Sequence, residues 1–258
     1  MHNPQIVSLK NERIKAASSL KTGKGRRESG LLLLEGHKLI AEALAAGLTL
    51  REVFYSEEDA LALSGAGREL ATSVSLEVLQ RLCDTESPQG VVATAVQPEL
   101  RLDALKRGGR YLLLENLQNA GNVGNILRSA EAFGVDGVLF CSAAVDLMSP
   151  KVLRGSMGSA LRMPTAFYRD VSEAVRAIRE AELPLWASVL REDAVLLTDF
   201  RGGSGVMAVG NEGAGLTQEL IAESDALVFI PMKGKTESLS APTAAAVLMW
   251  ELWGRSPD

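Results

Sequence analysis

Short apolar segments that alternate with helix-like segments are the feature that most constrains the fold of this chain. Residues 111–116 (YLLLEN) form an apolar run of strand length. Residues 121–134 (GNVGNILRSAEAFG) follow with helical spacing and end at a glycine. Strands that are apolar throughout are typical of parallel sheets covered by helices on both faces. The pattern therefore predicts an α/β fold with a mostly parallel sheet, closed by a helix over residues 242–253.

The alternation occurs twice, which predicts two domains. Residues 97–109 are polar and close with two glycines, so a linker is expected at 99–109. This divides the chain into an N-terminal domain over 1–98 and a C-terminal domain over 110–258. In the N-terminal part the sequence predicts a helix at 8–20, an exposed basic loop at 21–30, strands at 31–36, 51–56 and 90–96, and helices at 37–47 and 75–84.

Composition excludes several classes of protein. The 258 residues are 47% hydrophobic and 23% charged, which is ordinary for a globular chain. The two cysteines, Cys83 and Cys141, and the two histidines have no metal-ligand spacing, so no metal site is expected. The polar start lacks an apolar signal core, and no segment reaches the roughly 20 apolar residues of a membrane span. We therefore expect a cytoplasmic protein without a membrane segment.

The charge is unevenly distributed. The net charge is −5, but residues 10–27 contain seven basic residues and one acid. Such a local patch is typical of contact with a nucleic-acid backbone, although a solvated helix and loop face is the simpler alternative. Lys24, Arg26 and Arg27 are the candidate contacts. Lys151 and Arg154, one turn apart on a predicted helix over 149–160, could add phosphate contacts or form surface ion pairs.

Three segments place Gly, Asn or Ser directly after a predicted strand. They are residues 112–138 (LLLENLQNAGNVGNILRSAEAFGVDGV), 206–216 (VMAVGNEGAGL) and 229–247 (FIPMKGKTESLSAPTAAAV). Ligands of open α/β sheets bind at the carboxyl ends of the strands, so the three loops could build one site. The first segment has neither the dinucleotide-binding glycine pattern nor the lysine of a P-loop.

In this order, the three segments resemble the three signature motifs of the SpoU/TrmH family of RNA methyltransferases, in the SPOUT superfamily. Residues 149–164 (SPKVLRGSMGSALRMP) resemble the family segment between the first two motifs. Residues 24–44 (KGRRESGLLLLEGHKLIAEAL) resemble the ribosomal-protein-like α/β domain with which many members bind substrate. The resemblance implies that the C-terminal sheet carries a trefoil knot, and that the protein is a homodimer with its site near the subunit interface.

The resemblance also implies an activity, the transfer of a methyl group from S-adenosylmethionine to a ribose 2′-hydroxyl of RNA. Ribosomal RNA is a more strongly expected substrate than transfer RNA, because an N-terminal domain of this type is typical of family members that modify ribosomal RNA. Asn122, Arg128, Glu212 and Ser238 match the residues of the family's catalytic motifs. A guanidinium is a poor free base, so Arg128 is expected to clamp a phosphate that joins the proton relay. Glu212 could equally hold its loop through backbone N–H groups.

The cofactor-binding positions also follow from the resemblance. Gly210 matches the family's cofactor-contacting glycine. Ile230 and Leu239 match positions whose backbone holds the adenosine part of the cofactor. A glycine-rich loop suits this task because it permits close backbone approach.

The third motif departs from the family pattern. Ser240 stands where an Asn is usual, and Pro242 where a Ser is common. Serine lacks the reach and the second donor of an amide, and it could simply cap the last helix. The departure supports one alternative, a catalytically weakened RNA-binding relative. Two others also stay open: a tRNA 2′-O-methyltransferase and a small-molecule α/β enzyme. The exact nucleotide, and whether the role is housekeeping or antibiotic resistance, are open as well.

Overall fold

The chain divides into two compact units. Unit 1 comprises Met1–Glu99 and Asp146–Arg162, and unit 2 comprises Leu100–Val145 and Met163–Asp258. Within the residues described, no helix is both long enough and apolar enough to cross a membrane. The computed structural model describes residues 5–56, 69–85, 87–142, 145–191, 193–236 and 238–255.

Unit 1 is built on a four-stranded sheet. Its strands are β1 (Leu31–Glu35), β2 (Leu50–Tyr55), β3 (Ala71–Ser73) and β4 (Val91–Val96). The strand order is β1-β4-β2-β3, in which β4 runs antiparallel to β1 and β2, and β2 runs parallel to β3. The described helices are α1 (Glu12–Ser19), α2 (Gly23–Ser29), α3 (His37–Ala45), α4 (Leu76–Leu82) and, from the second segment of the unit, α6 (Pro150–Gly155) with a 3₁₀ turn at Ser159–Leu161.

Unit 2 is built on a seven-stranded sheet. Its strands are β5 (Arg110–Glu115), β6 (Gly137–Cys141), β7 (Thr165–Tyr168), β8 (Leu185–Ser188), β9 (Val195–Leu196), β10 (Gly205–Val209) and β11 (Ala226–Phe229). The order is β7-β6-β5-β10-β8-β11-β9, and neighbouring strands are parallel. The helices are α5 (Ala120–Ala132), α7 (Val171–Glu180), α8 (Gln218–Ala222) and α9 (Ala241–Met249), followed by a π-helical turn at Trp250–Gly254.

The burial of the central strands of unit 2 explains their apolar sequences. Every residue of β6 and β10 is buried, as is every residue of β5 except Arg110. Side chains of these strands, among them Leu113, Leu139 and Val206, pack with Ile178 of α7 in one core. Strands covered on both faces need no polar alternation. The predicted α/β fold with a parallel sheet is confirmed, whereas the trefoil knot stays a prediction.

Asp225 fixes the start of β11 against β8. Its Oδ2 accepts hydrogen bonds from the Leu185 N–H at 2.8 Å and from Arg179 Nη1 at 2.7 Å. Burial raises the pKa of Asp225, but the hydrogen bonds from Arg179 and from the Leu185 N–H outweigh it, so the pKa lies below its ordinary value. These hydrogen bonds hold the start of β11 beside the start of β8.

The expectation of an exposed loop over 21–30 is wrong, because this segment forms helix α2. Thr22 caps the helix by accepting a hydrogen bond from the Gly25 N–H at 3.1 Å. A Cβ at Gly25 would lie 2.2 Å from the Ser19 carbonyl oxygen, so glycine permits this close approach. Gly30 ends the helix in the left-handed conformation at φ 67°.

The helix predicted over 149–160 ends early and lies in unit 1. Helix α6 stops at Gly155, because Met157 and Gly158 take positive φ angles of 51° and 92° and turn the chain out of the helix. The sequence had placed this segment in the C-terminal domain. Ion pairs with the first segment of unit 1, described below, account for the difference.

The predicted linker over 99–109 begins as part of the sheet in unit 2. The Thr165 N–H donates to the Leu100 carbonyl, and the Leu102 N–H donates to the Thr165 carbonyl, both at 2.8 Å. Leu102 also packs against the core of the unit. The short strands β3, β7 and β9 and the helices α7 and α8 were not among the predicted elements.

Candidate active site

A cleft of about 490 Å³ lies at the carboxyl ends of three neighbouring strands of unit 2. Residues after β10, β8 and β11 supply its walls, together with the start of α9. Five of the residues singled out in the sequence line this cleft: Gly210, Glu212, Ile230, Ser238 and Leu239. Its volume is that of a site for a small molecule of nucleoside size.

The loop after β10 presents its backbone to the cleft. A Cβ at Gly210 would lie 2.2 Å from the Gly215 carbonyl carbon, so the chain can fold back on itself only with glycine here. Asn211 and Gly215 exchange two backbone hydrogen bonds, at 3.2 and 2.8 Å. The Asn211 Oδ1 accepts from the N–H groups of Gly213 and Ala214 at 2.9 and 3.2 Å. Asn211 thus performs the loop-holding task that the sequence analysis had considered for Glu212.

Glu212 is joined to the first turn of α5. Its carboxylate accepts a hydrogen bond from Asn122 Nδ2. The helix start is itself fixed, because the Asn119 side chain accepts from the N–H groups of Gly121 and Asn122 at 2.9 and 3.2 Å. A cap of this kind stabilises a helix by about 1 kcal/mol. Two predicted catalytic residues, one in a helix and one in a loop, are therefore in direct contact.

The third loop ends in a capped helix. Ser240 caps α9, with its Oγ 3.4 Å from the Thr243 N–H and 2.9 Å from Thr243 Oγ1. Proline is well placed in the first turn, where no intrahelical donor is needed. Ser240 therefore has the capping role that the sequence analysis weighed against a role in the site.

Arg128 lies on α5, six residues after Asn122, and its side chain is exposed. It is not among the residues that line the cleft. Within the part of the chain that the structure describes, no carboxylate forms an ion pair with its guanidinium. The side chain is thus free to meet an anionic ligand at the surface of unit 2.

The basic residues of unit 1 fall into two groups. Lys24, Arg27 and Lys151 are exposed. Arg26 is only 4% exposed and donates to Asp146 Oδ2 at 2.6 Å and to the Leu20 carbonyl at 2.5 Å. Because a buried guanidinium must be paired, we assign Arg26 to the interior of the unit and not to an exposed basic patch.

Arg154 is also occupied within unit 1. Its Nη2 lies 2.7 Å from Asp84 Oδ2, and its Nη1 lies 3.5 Å from the buried Glu35. These pairs, with that between Arg26 and Asp146, hold residues 146–162 in the unit. Of the two alternatives that the sequence left for Arg154, the ion pair is the one observed.

Several residues of the site were not predicted from the sequence. Ser188, Val189 and Arg191, at the end of β8, line the cleft, as does Met232 after β11. Asn211 could have been found, because Asn before Glu-Gly is a frequent turn former. The end of β8 carries no comparable signal, since its contribution depends on the order of strands in the sheet.

A parallel sheet with a ligand-sized cleft at the carboxyl ends of its strands places unit 2 in the class of ligand-binding α/β domains. Residues 109–250, more than half of the chain, match the SpoU rRNA Methylase family. The chain therefore belongs to this family. Residues 11–93 match the MRM3-like substrate binding domain.

Known relatives span nearly the whole chain. The 23S rRNA (guanosine(2553)-2′-O)-methyltransferase of Bacillus subtilis is 29% identical over 250 residues, which are 97% of this chain and 99% of the relative. A crystal structure of an RNA 2′-O ribose methyltransferase is similar with a TM-score of 0.84 and 32% identity, covering 96% of this chain and 97% of the other. The AdoMet-bound rRNA methyltransferase of Sinorhizobium meliloti has a TM-score of 0.82 and 28% identity, covering 96% of each chain.

Proposed function

We propose that this protein is an S-adenosylmethionine-dependent RNA methyltransferase that methylates a ribose 2′-hydroxyl in ribosomal RNA. The observation that carries the proposal is the cleft in which Gly210, Ile230 and Leu239 meet beside the linked pair Asn122 and Glu212. The relatives support it, since one is named as an enzyme of 23S rRNA and one structure as bound to AdoMet.

The residues of the cleft fit the proposed cofactor. A flat adenine needs a slot lined by backbone, and the Gly210 turn leaves no room for a side chain where the loop folds back. Ile230, Met232 and Leu239 add apolar surface. Gly210, Ile230 and Leu239 would hold the cofactor, which supplies a methyl group already activated on a sulfonium. The protein then has to orient the ribose oxygen and help its proton leave.

We assign the following roles to the catalytic candidates. Arg128, exposed and without a paired carboxylate in the described chain, clamps a phosphate beside the target ribose, and the proton of the 2′-hydroxyl leaves through that phosphate. Asn122 and Glu212, as a hydrogen-bonded pair, orient the ribose that accepts the methyl group. Ser238 lines the same cleft and can accept or donate one hydrogen bond.

We assign the division of labour along the chain in the same way. Residues 1–98 bind RNA and residues 110–258 carry the chemistry. Lys24, Arg27 and Lys151, which are exposed, are the proposed phosphate contacts in unit 1. We propose a cytoplasmic location.

We further propose a homodimer. Val247 and Trp250, at the end of α9, expose 36% and 51% of their surface, and Trp250 lies against Phe133 of α5. Large apolar side chains exposed together favour a protein interface. Analytical ultracentrifugation of the wild type and of Trp250→Glu tests this: a dimer that the substitution dissociates is expected, and a monomeric wild type would contradict it.

The activity is tested with radiolabelled S-adenosylmethionine. Purified protein is incubated with ribosomal RNA or transfer RNA from cells that lack it, and the RNA is digested to nucleosides. We expect label in a 2′-O-methylated nucleoside of ribosomal RNA. Label in a base would overturn the ribose assignment, and label in transfer RNA alone would overturn the substrate class. RNA binding without any transfer would favour the weakened relative that Ser240 leaves open.

A further inference from the structure

The loop over residues 210–217, which forms one wall of the cleft, is held from the neighbouring strand. Glu115, the last residue of β5, is 1% exposed. Its Oε2 accepts the Thr217 N–H at 2.8 Å, and its Oε1 accepts the Thr217 hydroxyl at 2.7 Å. Both carboxylate oxygens therefore bind a single residue, which fixes the end of the loop in place.

The start of the loop is tied to Asn116, the residue that directly follows β5. The Asn116 carbonyl accepts a hydrogen bond from Asn211 Nδ2 at 3.3 Å. Asn116 takes a left-handed conformation with φ 58°, which asparagine tolerates better than most residues. Two consecutive residues at the end of β5, Glu115 and Asn116, thus anchor both ends of the loop.

Such anchors matter because the loop is rich in glycine. Its backbone has many alternative conformations because it contains Gly210, Gly213 and Gly215. Ordering each of these glycines has an entropic cost. A buried carboxylate, in turn, is stable only when donors satisfy it. The pairing of Glu115 with Thr217 meets both needs.

Thr217 also positions residues that touch the cleft on either side of it. It caps α8, because its hydroxyl oxygen accepts from the Leu220 N–H at 3.3 Å. Leu216 before it and Gln218 after it line the cleft, whereas Glu115 does not. Any influence of Glu115 on a ligand therefore passes through Thr217.

We infer that Glu115 is a positioning residue that, through Thr217, holds loop 210–217 in its ligand-binding shape and so sets the affinity for S-adenosylmethionine. The inference rests on the proposed function. It predicts that loss of the hydrogen bonds weakens cofactor binding while RNA binding is unchanged, because the loop and not the fold is altered.

The test is calorimetric titration with S-adenosylmethionine. Thr217→Val removes the hydroxyl that Glu115 binds and is expected to raise the Kd at least about tenfold. Thr217→Ser keeps the hydroxyl and should stay near the wild-type Kd. Glu115→Ala removes both hydrogen bonds and should weaken binding at least as much as Thr217→Val. The double variant should be little worse than Glu115→Ala alone, because the bond to the hydroxyl is common to both changes. In steady-state methylation, the KM for the cofactor should rise and the KM for RNA should not.

Unit 1 offers a matched control. Glu35, at the end of β1, is also buried and accepts from a backbone N–H, that of Asp84 at 2.9 Å, and from the hydroxyl of Thr85. Thr85→Val should leave the cofactor Kd unchanged. A Thr217→Val variant with the wild-type Kd, or a Thr85→Val variant with an equal loss, would overturn the inference while the proposed function stands. A wild type that binds no S-adenosylmethionine would overturn the proposed function and this inference with it.

Discussion

Asn122 donates a side-chain hydrogen bond to Glu212, a residue 90 positions further along the chain. The bond joins the first turn of the helix that follows β5 to the loop that follows β10. Because both residues match catalytic motif positions, their contact suggests that they act as one unit. We therefore expect the effect of replacing one of them to depend on the presence of the other.

Reversal of this pair is the first prediction. Asn122→Asp places two carboxylates against each other, and their repulsion should lower single-turnover methyl transfer at least about tenfold. Adding Glu212→Gln restores a carboxylate–amide pair and should recover much of the rate. A double-mutant cycle measures the coupling. If the double variant is as slow as the product of the single effects predicts, the two residues act independently.

Arg128 is the second prediction. Arg128→Ala should lower kcat by about 10²–10⁴, the usual contribution of a positioned acid or base group. The thermal stability and the cofactor Kd should not change, since the side chain is exposed and does not line the cleft. Arg128→Lys keeps the charge but loses the planar fork, so an intermediate rate is expected. A rate for Arg128→Ala within about tenfold of the wild type would exclude the proposed role.

Gly210 gives the third prediction. Gly210→Ala introduces a Cβ that would clash with the Gly215 backbone, so the loop must shift and cofactor binding should fall at least about tenfold. Gly213→Ala is the matched control, because its Cβ would lie 3.5 Å from Asn211 Oδ1, an ordinary contact. Calorimetry with S-adenosylmethionine compares the two. Equal Kd values for both variants would contradict a backbone-lined slot at Gly210.

The basic residues of unit 1 give the fourth prediction. Removal of the exposed Lys24 and Arg27 by alanine should weaken RNA binding and make the slope of log K against log salt shallower by about 1 to 2, because two phosphate contacts are lost. The free energy of unfolding of this double variant should equal that of the wild type. Arg26→Ala should instead destabilise the protein by about 1–3 kcal/mol, because the Leu20 carbonyl loses this donor and Asp146, whose side chain is 40% exposed, loses its buried partner.

Fluorescence anisotropy with fragments of ribosomal RNA measures the first effect, and urea unfolding measures the second. The double alanine variant of Lys106 and Arg176, both exposed and in unit 2, serves as the charge-matched control. The proposed patch would be wrong if this control changed the salt dependence as much as the variant of Lys24 and Arg27.

The thiol of Cys83 gives the fifth prediction. Burial, with a smaller contribution from the nearby Glu35 carboxylate, raises the pKa of Cys83 from 9.0 to about 12. The unfolded chain therefore loses this proton at lower pH than the folded chain. The contribution of this thiol to the free energy of unfolding is fully present below pH 9 and is lost as the pH rises from about 9 toward 12. Urea unfolding at several pH values should show a steeper alkaline loss of stability in the wild type than in Cys83→Ala. Parallel curves would contradict the shift.

The sequence by itself determined the class of fold and five of the residues that line the cleft. Apolar strands alternating with helices are a local signal of a covered parallel sheet, and glycine at a strand end marks a loop that approaches a ligand. The resemblance to the family placed Gly210, Ile230 and Leu239 in one site before any contact was known. The knot, the dimer and the roles of the catalytic residues stay predictions.

Tertiary structure alone decided which polar groups are paired. The sequence treated Arg26 as part of an exposed basic loop, but it is buried against Asp146, 120 positions away. Nor could spacing reveal that Glu115 binds Thr217, or that Asn122 binds Glu212. Periodicity reports the face on which a side chain lies, whereas the partner of a charge depends on segments that only the folded chain brings within hydrogen-bond distance.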